Sequence, residues 1–287
     1  MSKKRNKKRN VARKNRNRNQ RRLLAEQLED RRVLTTFTVD TISDEAFGGG
    51  DLAAETADGD GLSLREAIEL ANTTTVADTV EFDASVFTGG ANSLIRLTQG
   101  SQLEITEAVT IDGSTGSDIV ITGDSGDDDT LMSGSYITDV DSSAGSLSDN
   151  TRIFYVSDSD ADTTLNGLTL TGGYTAESTG LGGGGALRSL ADLTISDVSV
   201  TGNSTLGSNS SGGGVFSSGA VSLTDSEVNG NRTGSASSRG GGISGRGGVY
   251  LTNSTVSNNL TSGTNSRGGG IYGRNAPIEL TNSTVSG

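Results

Sequence analysis

Apolar residues return along the second half of the chain at an interval much longer than any helix or strand repeat. Ile195, Leu223, Leu251 and Leu280 are spaced 28, 28 and 29 residues apart, and Val200, Val228, Val256 and Val285 keep the same rhythm. Three residues after the first three valines stand Asn203, Asn231 and Asn259. Runs of three glycines ending at Gly185, Gly214, Gly242 and Gly270 mark the period again, at 29, 28 and 28. In "LNGLTLTGG", Leu165 and Leu170 match Ile195 and Val200 at an offset of 30. Each unit reads as a glycine corner, a short strand (Ile271-Tyr272 in the last copy), a second strand (Ile278–Thr281) and a third around Val285. A unit this small cannot bury its own apolar face, whereas units stacked in register at about 4.8 Å share one narrow core. The Leu and Val columns would fill that core, and Asn203, Asn231 and Asn259 would form an amide ladder at a bend. Gly would serve where the chain turns with φ > 0 or where backbones crowd. The pattern predicts an all-β fold, a single-stranded right-handed parallel β-helix with three sides.

Before residue 163 the pattern is less regular. "TFTVDTI", from Thr36, alternates as a strand does, and a loop rich in Gly and Asp follows through Gly61. "GLSLREAIELAN" is the one helical stretch of the body, over residues 63–72. Ser63 and Glu66 make an S-x-x-E capping box, Leu64, Ala67, Ile68 and Ala71 form one apolar face, and Asn72 is a stop signal. This helix is expected to cap the N-terminal end of the solenoid. Short β runs follow ("TVEF", "LIRLT", "VTID", "IVIT", "IFYV"), interrupted by acidic insertions at 124–129 and 139–149. Residues 1–22 are low-complexity Arg, Lys and Asn and are expected to be disordered, and 21–34 suits a short helix with Leu24 and Leu28 one turn apart. Three segments result: a basic leader over 1–34, an acidic cap with the first coils over 35–162, and regular coils over 163–287. Val285-Ser286-Gly287 stops one residue short of the Asn that completes earlier coils, so the natural protein is expected to continue.

Composition narrows the chemistry. Gly accounts for 42 of 287 residues, aromatic residues for 4%, and Pro277 is the single proline. A backbone-dominated β architecture with small residues at its corners suits these proportions better than a core of large side chains. The chain has no Cys and no His, which excludes disulfides, thiolate zinc sites, the Ser-His-Asp triad and Cys-His nucleophiles. Its net charge of −12 is unevenly distributed. Residues 1–22 carry 12 Lys and Arg and no acid, residues 23–162 carry 29 acids against 5 Arg, and residues 163–287 carry 6 of each. No segment approaches the roughly 20 apolar residues of a membrane-spanning helix, and the basic start lacks the apolar stretch of a secretion signal.

The motifs carry a resemblance. "GGGI" or "GGGV" paired with "V-x-x-N" is similar to the GGA[ILV]/FxxN repeats of chlamydial polymorphic outer membrane proteins, with Val in place of Phe. "GLSLREAIELAN" resembles the CSLREA-type N-terminal region of bacterial surface β-helix proteins, with Leu62 where those carry Cys. "DTVEFD", "VTIDG" and "LNGLTLTGG" extend that likeness through residue 173. "LEDRRVL" resembles the LEPR-type leader motif of large secreted proteins from planctomycete-like bacteria, with Asp30 in place of Pro. The resemblance covers residues 21–287. It implies a secreted or cell-surface β-helix of the pectin-lyase-like kind, at the bacterial outer envelope, and no named activity.

Candidate chemistry is sparse. The glycine runs precede no helix and have no lysine nearby, so they read as structural corners and not as phosphate loops. Arg239 and Arg267 precede equivalent triplets, and Arg246 and Arg274 share a second equivalent position. Stacked like charges repel unless an anion bridges them, which makes this column a candidate site for an acidic glycan. Asp158, Asp160 and Asp162 form a D-x-D-x-D that could open a calcium loop, although Thr163 and Thr169 stand where the EF-hand pattern wants Gly and Glu. Asp124 and Asp127–Asp129 are a second acidic cluster. No cofactor is required, and Ca²⁺ is the one ion these loops would take. No catalytic residue is assigned. Asp197 and Asp225 give way to Asn253 and Asn282 at equivalent positions, an interchange that fits a turn better than catalysis. The basic leader alone would suggest nucleic-acid binding, but the acidic body and the lack of aromatic residues in the leader argue against that partner. The expected function is a non-catalytic scaffold, adhesin-like or structural, presenting loops to carbohydrate or envelope components. The alternative is a polysaccharide lyase or hydrolase on the same fold.

Overall fold

The computed structural model describes residues 34–126, 149–178 and 182–287. The basic leader, the helix expected over 21–34 and most of the two acidic insertions lie outside the described residues.

Successive coils lay equivalent strands side by side, and every ladder between strands is parallel. The longest sheet has eight strands: Thr36–Val39, Asp78–Phe82, Val109–Asp112, Thr163–Asn166, Leu193–Ser196, Val221–Thr224, Val249–Thr252 and Ile278–Thr281. A seven-stranded sheet runs from Leu94–Arg96 to Thr284–Ser286, and a six-stranded one from Leu103–Ile105 to Ile271–Gly273. The chain is therefore an all-β parallel solenoid, as its periodicity predicts. The sheets cross residue 162 without a break, since Val109–Asp112 pairs with Thr163–Asn166.

Each regular coil carries a fourth strand that the repeat pattern did not reveal. Tyr174–Thr175, Ser204–Thr205, Arg232–Thr233 and Leu260–Thr261 pair in a four-stranded sheet. These strands are two residues long, too short for any alternation of apolar and polar positions to show.

The columns of the core match the spacing. Ile195, Leu223, Leu251 and Leu280 are register partners, as are Val200, Val228, Val256 and Val285. Leu165 lies beside Ile195, and Leu170 beside Val200. Inside the stack these side chains are wholly buried, each worth about 1.5–3 kcal/mol over exposure. In the last coil Ile278, Leu280 and Val285 stay half-exposed, because only one neighbouring coil covers them.

The turn that joins the eight- and seven-stranded sheets explains the Asp/Asn interchange. Gly167, Asp197, Asp225, Asn253 and Asn282 occupy it in successive coils, all with φ between 50° and 63°. Asn and Asp tolerate this left-handed conformation where other side-chain-bearing residues do not.

The glycine runs form structural corners, with one correction. Leu187 pairs with Val215, which places Gly185 beside Gly213 and Ala186 beside Gly214. Gly185 is thus the second member of its corner and Ala186 the third, and these four corners recur every 28 residues. The first two positions are both crowded: a Cβ on Gly212, where φ is 68°, would lie 2.0 Å from the Val215 carbonyl oxygen. A Cβ on Gly213 would lie 2.2 Å from the Gly241 carbonyl oxygen, and one on Gly185 would lie 2.4 Å from that of Gly213.

Two polar ladders hold the corners. Asn203 donates from its backbone N–H to Asn231 Oδ1 at 3.0 Å and from Nδ2 at 2.9 Å, and Asn231 treats Asn259 in the same way. All three are buried. A serine ladder with the same 28- to 29-residue spacing accompanies it: Ser226 N–H donates to Ser254 Oγ at 3.1 Å, and Ser254 N–H to Ser283 Oγ at 3.0 Å. Each ladder satisfies backbone donors that would otherwise be buried without partners.

Among the described residues two α-helices precede the second strand. The first, α1 (Leu52–Glu55), is capped by Asp51 and was not foreseen in a loop so rich in Gly and Asp. Its buried Glu55 accepts from the N–H groups of Gly48 and Gly50, which closes the loop on itself. The second, α2 (Leu64–Asn72), forms with the expected capping box: Ser63 Oγ accepts from Glu66 N–H, and Glu66 Oε2 from Ser63 N–H at 2.8 Å. It packs on the first strands of the eight- and six-stranded sheets. The cap at its end is Thr73, while Asn72 bonds outward to the backbone of Glu104 and Thr106. Arg65, exposed to solvent by only 8%, grips Asp44 with two bonds of 2.7 and 3.0 Å and donates to the carbonyls of Ser101 and Gln102.

Candidate anion-binding face

The middle residue of each strand in the six-stranded sheet points away from the core. Register sets Glu104, Tyr155, Arg188, Phe216, Ser244 and Tyr272 side by side in one row across the coils. The last four are themselves 28 residues apart. That period was available from the sequence, but the changing residue types hid it.

Along this row rings and guanidinium groups alternate. Arg188 lies 5.7 Å from the Tyr155 ring centroid on one side and 4.9 Å from that of Phe216 on the other. Arg246 approaches Phe216 at 5.0 Å, Arg239 approaches Tyr272 at 5.5 Å, and Arg152 approaches Tyr155 at 5.8 Å. Stacking on a ring face lets guanidinium groups approach one another. Arg152 and Arg188 are buried in the row, and Arg152 donates to the Gly184 carbonyl, to Gln102 Oε1 and to Glu177. Two of the four arginines named from sequence, Arg239 and Arg246, thus join this row, with Arg188 and Arg152 added by the fold.

Arg267 and Arg274 are exposed at its edge, and the backbones of Arg239 and Arg267 are bridged in parallel. Partial desolvation against the Phe216 ring holds the guanidinium of the largely exposed Arg246 below its ordinary range, and the charges of Arg274, Arg188 and Arg239 add to that effect. Burial likewise lowers Arg152, against a hydrogen bond and a 3.2 Å ion pair with Glu177 that oppose it. Arginine stays charged throughout the accessible pH range even so. The guanidinium groups that reach solvent here are those of Arg239, Arg246, Arg267 and Arg274; they concentrate positive potential on a protein whose net charge is negative and offer donors suited to carboxylate, sulfate or phosphate.

The acidic candidates are placed differently. Asp158 and Asp160 are exposed on the turn that follows Val156, where Asp158 Oδ1 accepts from Asp160 N–H at 2.9 Å. Asp162 is exposed beside them, and the three carboxylates do not converge on a common point. Asp124 is buried, while Asp127–Asp129 lie outside the described residues. A shallow groove of about 820 Å³ follows the left-handed turn column, where Asp118, Asp197, Asp225 and Glu227 line it and no arginine does.

No protein-family model, curated protein or solved structure matches the chain.

Proposed function

We propose that this chain is a non-catalytic solenoid scaffold that binds acidic polysaccharide through the arginine–aromatic face of its six-stranded sheet. The observation that carries the reading is the group of solvent-reaching arginines Arg239, Arg246, Arg267 and Arg274 beside the row Tyr155–Arg188–Phe216–Ser244–Tyr272, with Arg246 stacked on Phe216 and Arg239 on Tyr272. A solenoid repeats its surface at a fixed pitch, so a polymer with a charge on every unit can be engaged by several coils at once. The resemblance of "GLSLREAIELAN" to CSLREA-type regions and of "GGGI" with "V-x-x-N" to chlamydial polymorphic outer membrane proteins supports a place at the bacterial surface or outside the cell. An adhesin-like or envelope-structural role follows from that placement. Right-handed winding belongs to the same reading, since parallel crossover connections take that hand in almost all cases.

The test is binding of the full chain to polygalacturonate and to a sulfated glycan, with a neutral glucan as control. Retention by the acidic polymers alone, weakening as salt rises, is expected. Equal retention by the neutral glucan, or none by any polymer, would overturn the reading. Release of unsaturated or reducing sugar ends from the acidic polymers would replace it with the lyase or hydrolase alternative.

A further inference from the structure

The loop that closes over the start of α2 gathers three carboxylates from distant parts of the sequence. Glu45, Asp58 and Glu66 each place an oxygen within 4.8 Å of the other two. They are the only such group of three among the described residues, and none of them pairs with an arginine there. Like charges this close repel strongly unless something neutralises them.

Glu66 is the informative member, because it is fully buried. Its Oε2 is used by the capping box, while Oε1 has no hydrogen-bond partner although it is shielded from water. A buried carboxylate oxygen without a donor is an expensive arrangement. The surroundings hold the other two carboxylates close to it. Glu45 Oε1 accepts from Asp60 N–H at 3.1 Å, and its carboxylate lies flat on Gly59, where a Cβ would come within 1.6 Å of Oε2. A Cβ on Gly48 would lie 3.1 Å from Asp58 Oδ2, so glycine leaves the backbone room on that side as well. Burial pushes the Glu66 carboxyl above its ordinary range; hydrogen bonds from Ser63 oppose this, and Glu45 and Asp58 add to it. The acids that neighbour this group are otherwise engaged: Asp44 by Arg65 and Gln99, Glu55 by two backbone N–H groups.

We propose that Glu45, Asp58 and Glu66 form a binding site for one hard divalent cation, Ca²⁺, in which Glu66 Oε1 is a direct ligand. Three carboxylate oxygens with no nitrogen or sulfur donor suit an oxygen-seeking ion, and Ca²⁺ accepts flexible geometry with water completing its 6–8 ligands. The ion would tie the loop over residues 45–58 to the first turn of α2. Glu66 would then serve two purposes, one oxygen capping the helix and the other holding the metal.

The test uses the full chain, freed of metal with chelator, and CaCl₂ alone as the probe. Calorimetric titration is expected to show a single site at this cluster, and about 10 mM CaCl₂ should raise Tm by several degrees, since an ion that binds only the folded state stabilises it. Glu45→Gln and Asp58→Asn should each weaken affinity at least tenfold, and the double variant should lose the Tm rise. In chelator the double variant should melt no lower than the parent, because removal of two charges relieves repulsion; this also shows that it folds. Asp158→Asn/Asp160→Asn should keep the full response. Absence of a Ca²⁺ response in the parent chain, or a response that survives in Glu45→Gln/Asp58→Asn, would overturn the proposal.

Discussion

The guanidinium of Arg188 lies 4.9 Å from the ring centroid of Phe216, its register partner in the next coil, and Arg246 lies 5.0 Å from the same ring. One phenyl group thus lies against two cations carried by the coils on either side of its own.

Phe216→Leu should therefore act on charge placement more than on folding. Leucine fills much of the same volume but has no ring quadrupole to hold Arg188 and Arg246. Binding to polygalacturonate is expected to weaken about fivefold, close to 1 kcal/mol, with a small loss in thermal stability. Arg246→Ala, at an exposed position, should weaken binding by a similar factor and leave Tm unchanged. Affinity measurement alongside a thermal melt of each variant separates the two effects.

The asparagine ladder should behave as a buried polar network. Asn231 accepts from Asn203 through Oδ1 and donates through Nδ2 to the Val200 carbonyl at 2.9 Å. Asn231→Ala leaves the buried Asn203 N–H without its acceptor and removes one donor from the Val200 carbonyl, which keeps its place in the parallel ladder, a loss of about 1–3 kcal/mol. Thr252→Ala, exposed at the end of the strand Val249–Thr252, should cost less than about 1 kcal/mol. Urea unfolding of the two variants checks the contrast.

Adjacent glycines should differ sharply. At Gly213 a methyl group would meet the Gly241 carbonyl oxygen at 2.2 Å and the Arg232 backbone at 2.5 Å. At Gly214 it would meet Asn231 and Val200 side-chain atoms at 3.0 Å, and Ala186 already fills the same place one coil earlier. Gly213→Ala is expected to destabilise by several kcal/mol or prevent folding, and Gly214→Ala by about 1 kcal/mol. A soluble Gly213→Ala protein with the parent's Tm would contradict the corner assignment.

Asp112 should contribute a pH dependence. Burial alone would raise its carboxyl, but hydrogen bonds from Ser114 and Asn166 outweigh burial and hold it below its ordinary range. A depressed folded value means that its contribution is complete above the unfolded value, about 3.9, and is lost as pH falls through the folded value beneath it. Asp112→Asn should thus be less stable than the parent at pH 7, and the difference should shrink between pH 4 and 2. Chemical unfolding midpoints at these pH values measure it.

Much of this architecture was legible in the sequence because each coil repeats the demands of the one before it. A column position must be apolar in every coil, so Ile195, Leu223 and Leu251 announce themselves by spacing. The Asn ladder was readable for the same reason, since one side chain must meet the same backbone groups each time. The capping box and the apolar face of α2 were readable from local spacing alone.

Tertiary structure decided what local spacing leaves open. Backbone hydrogen bonds set the register that moved Gly185 one place within its corner, because glycines in a run are interchangeable until a neighbouring carbonyl crowds one of them. The outward row Tyr155–Arg188–Phe216–Tyr272 appeared only when stacking put unlike residues in line. Glu45, Asp58 and Glu66 belong to no repeat, and only the path of a glycine-rich loop over α2 brings their oxygens together. The sequence by itself thus determined the interior, where every coil faces the same physical requirement. Chemistry on the surface depends on which side chains meet through space, and folding alone decides that.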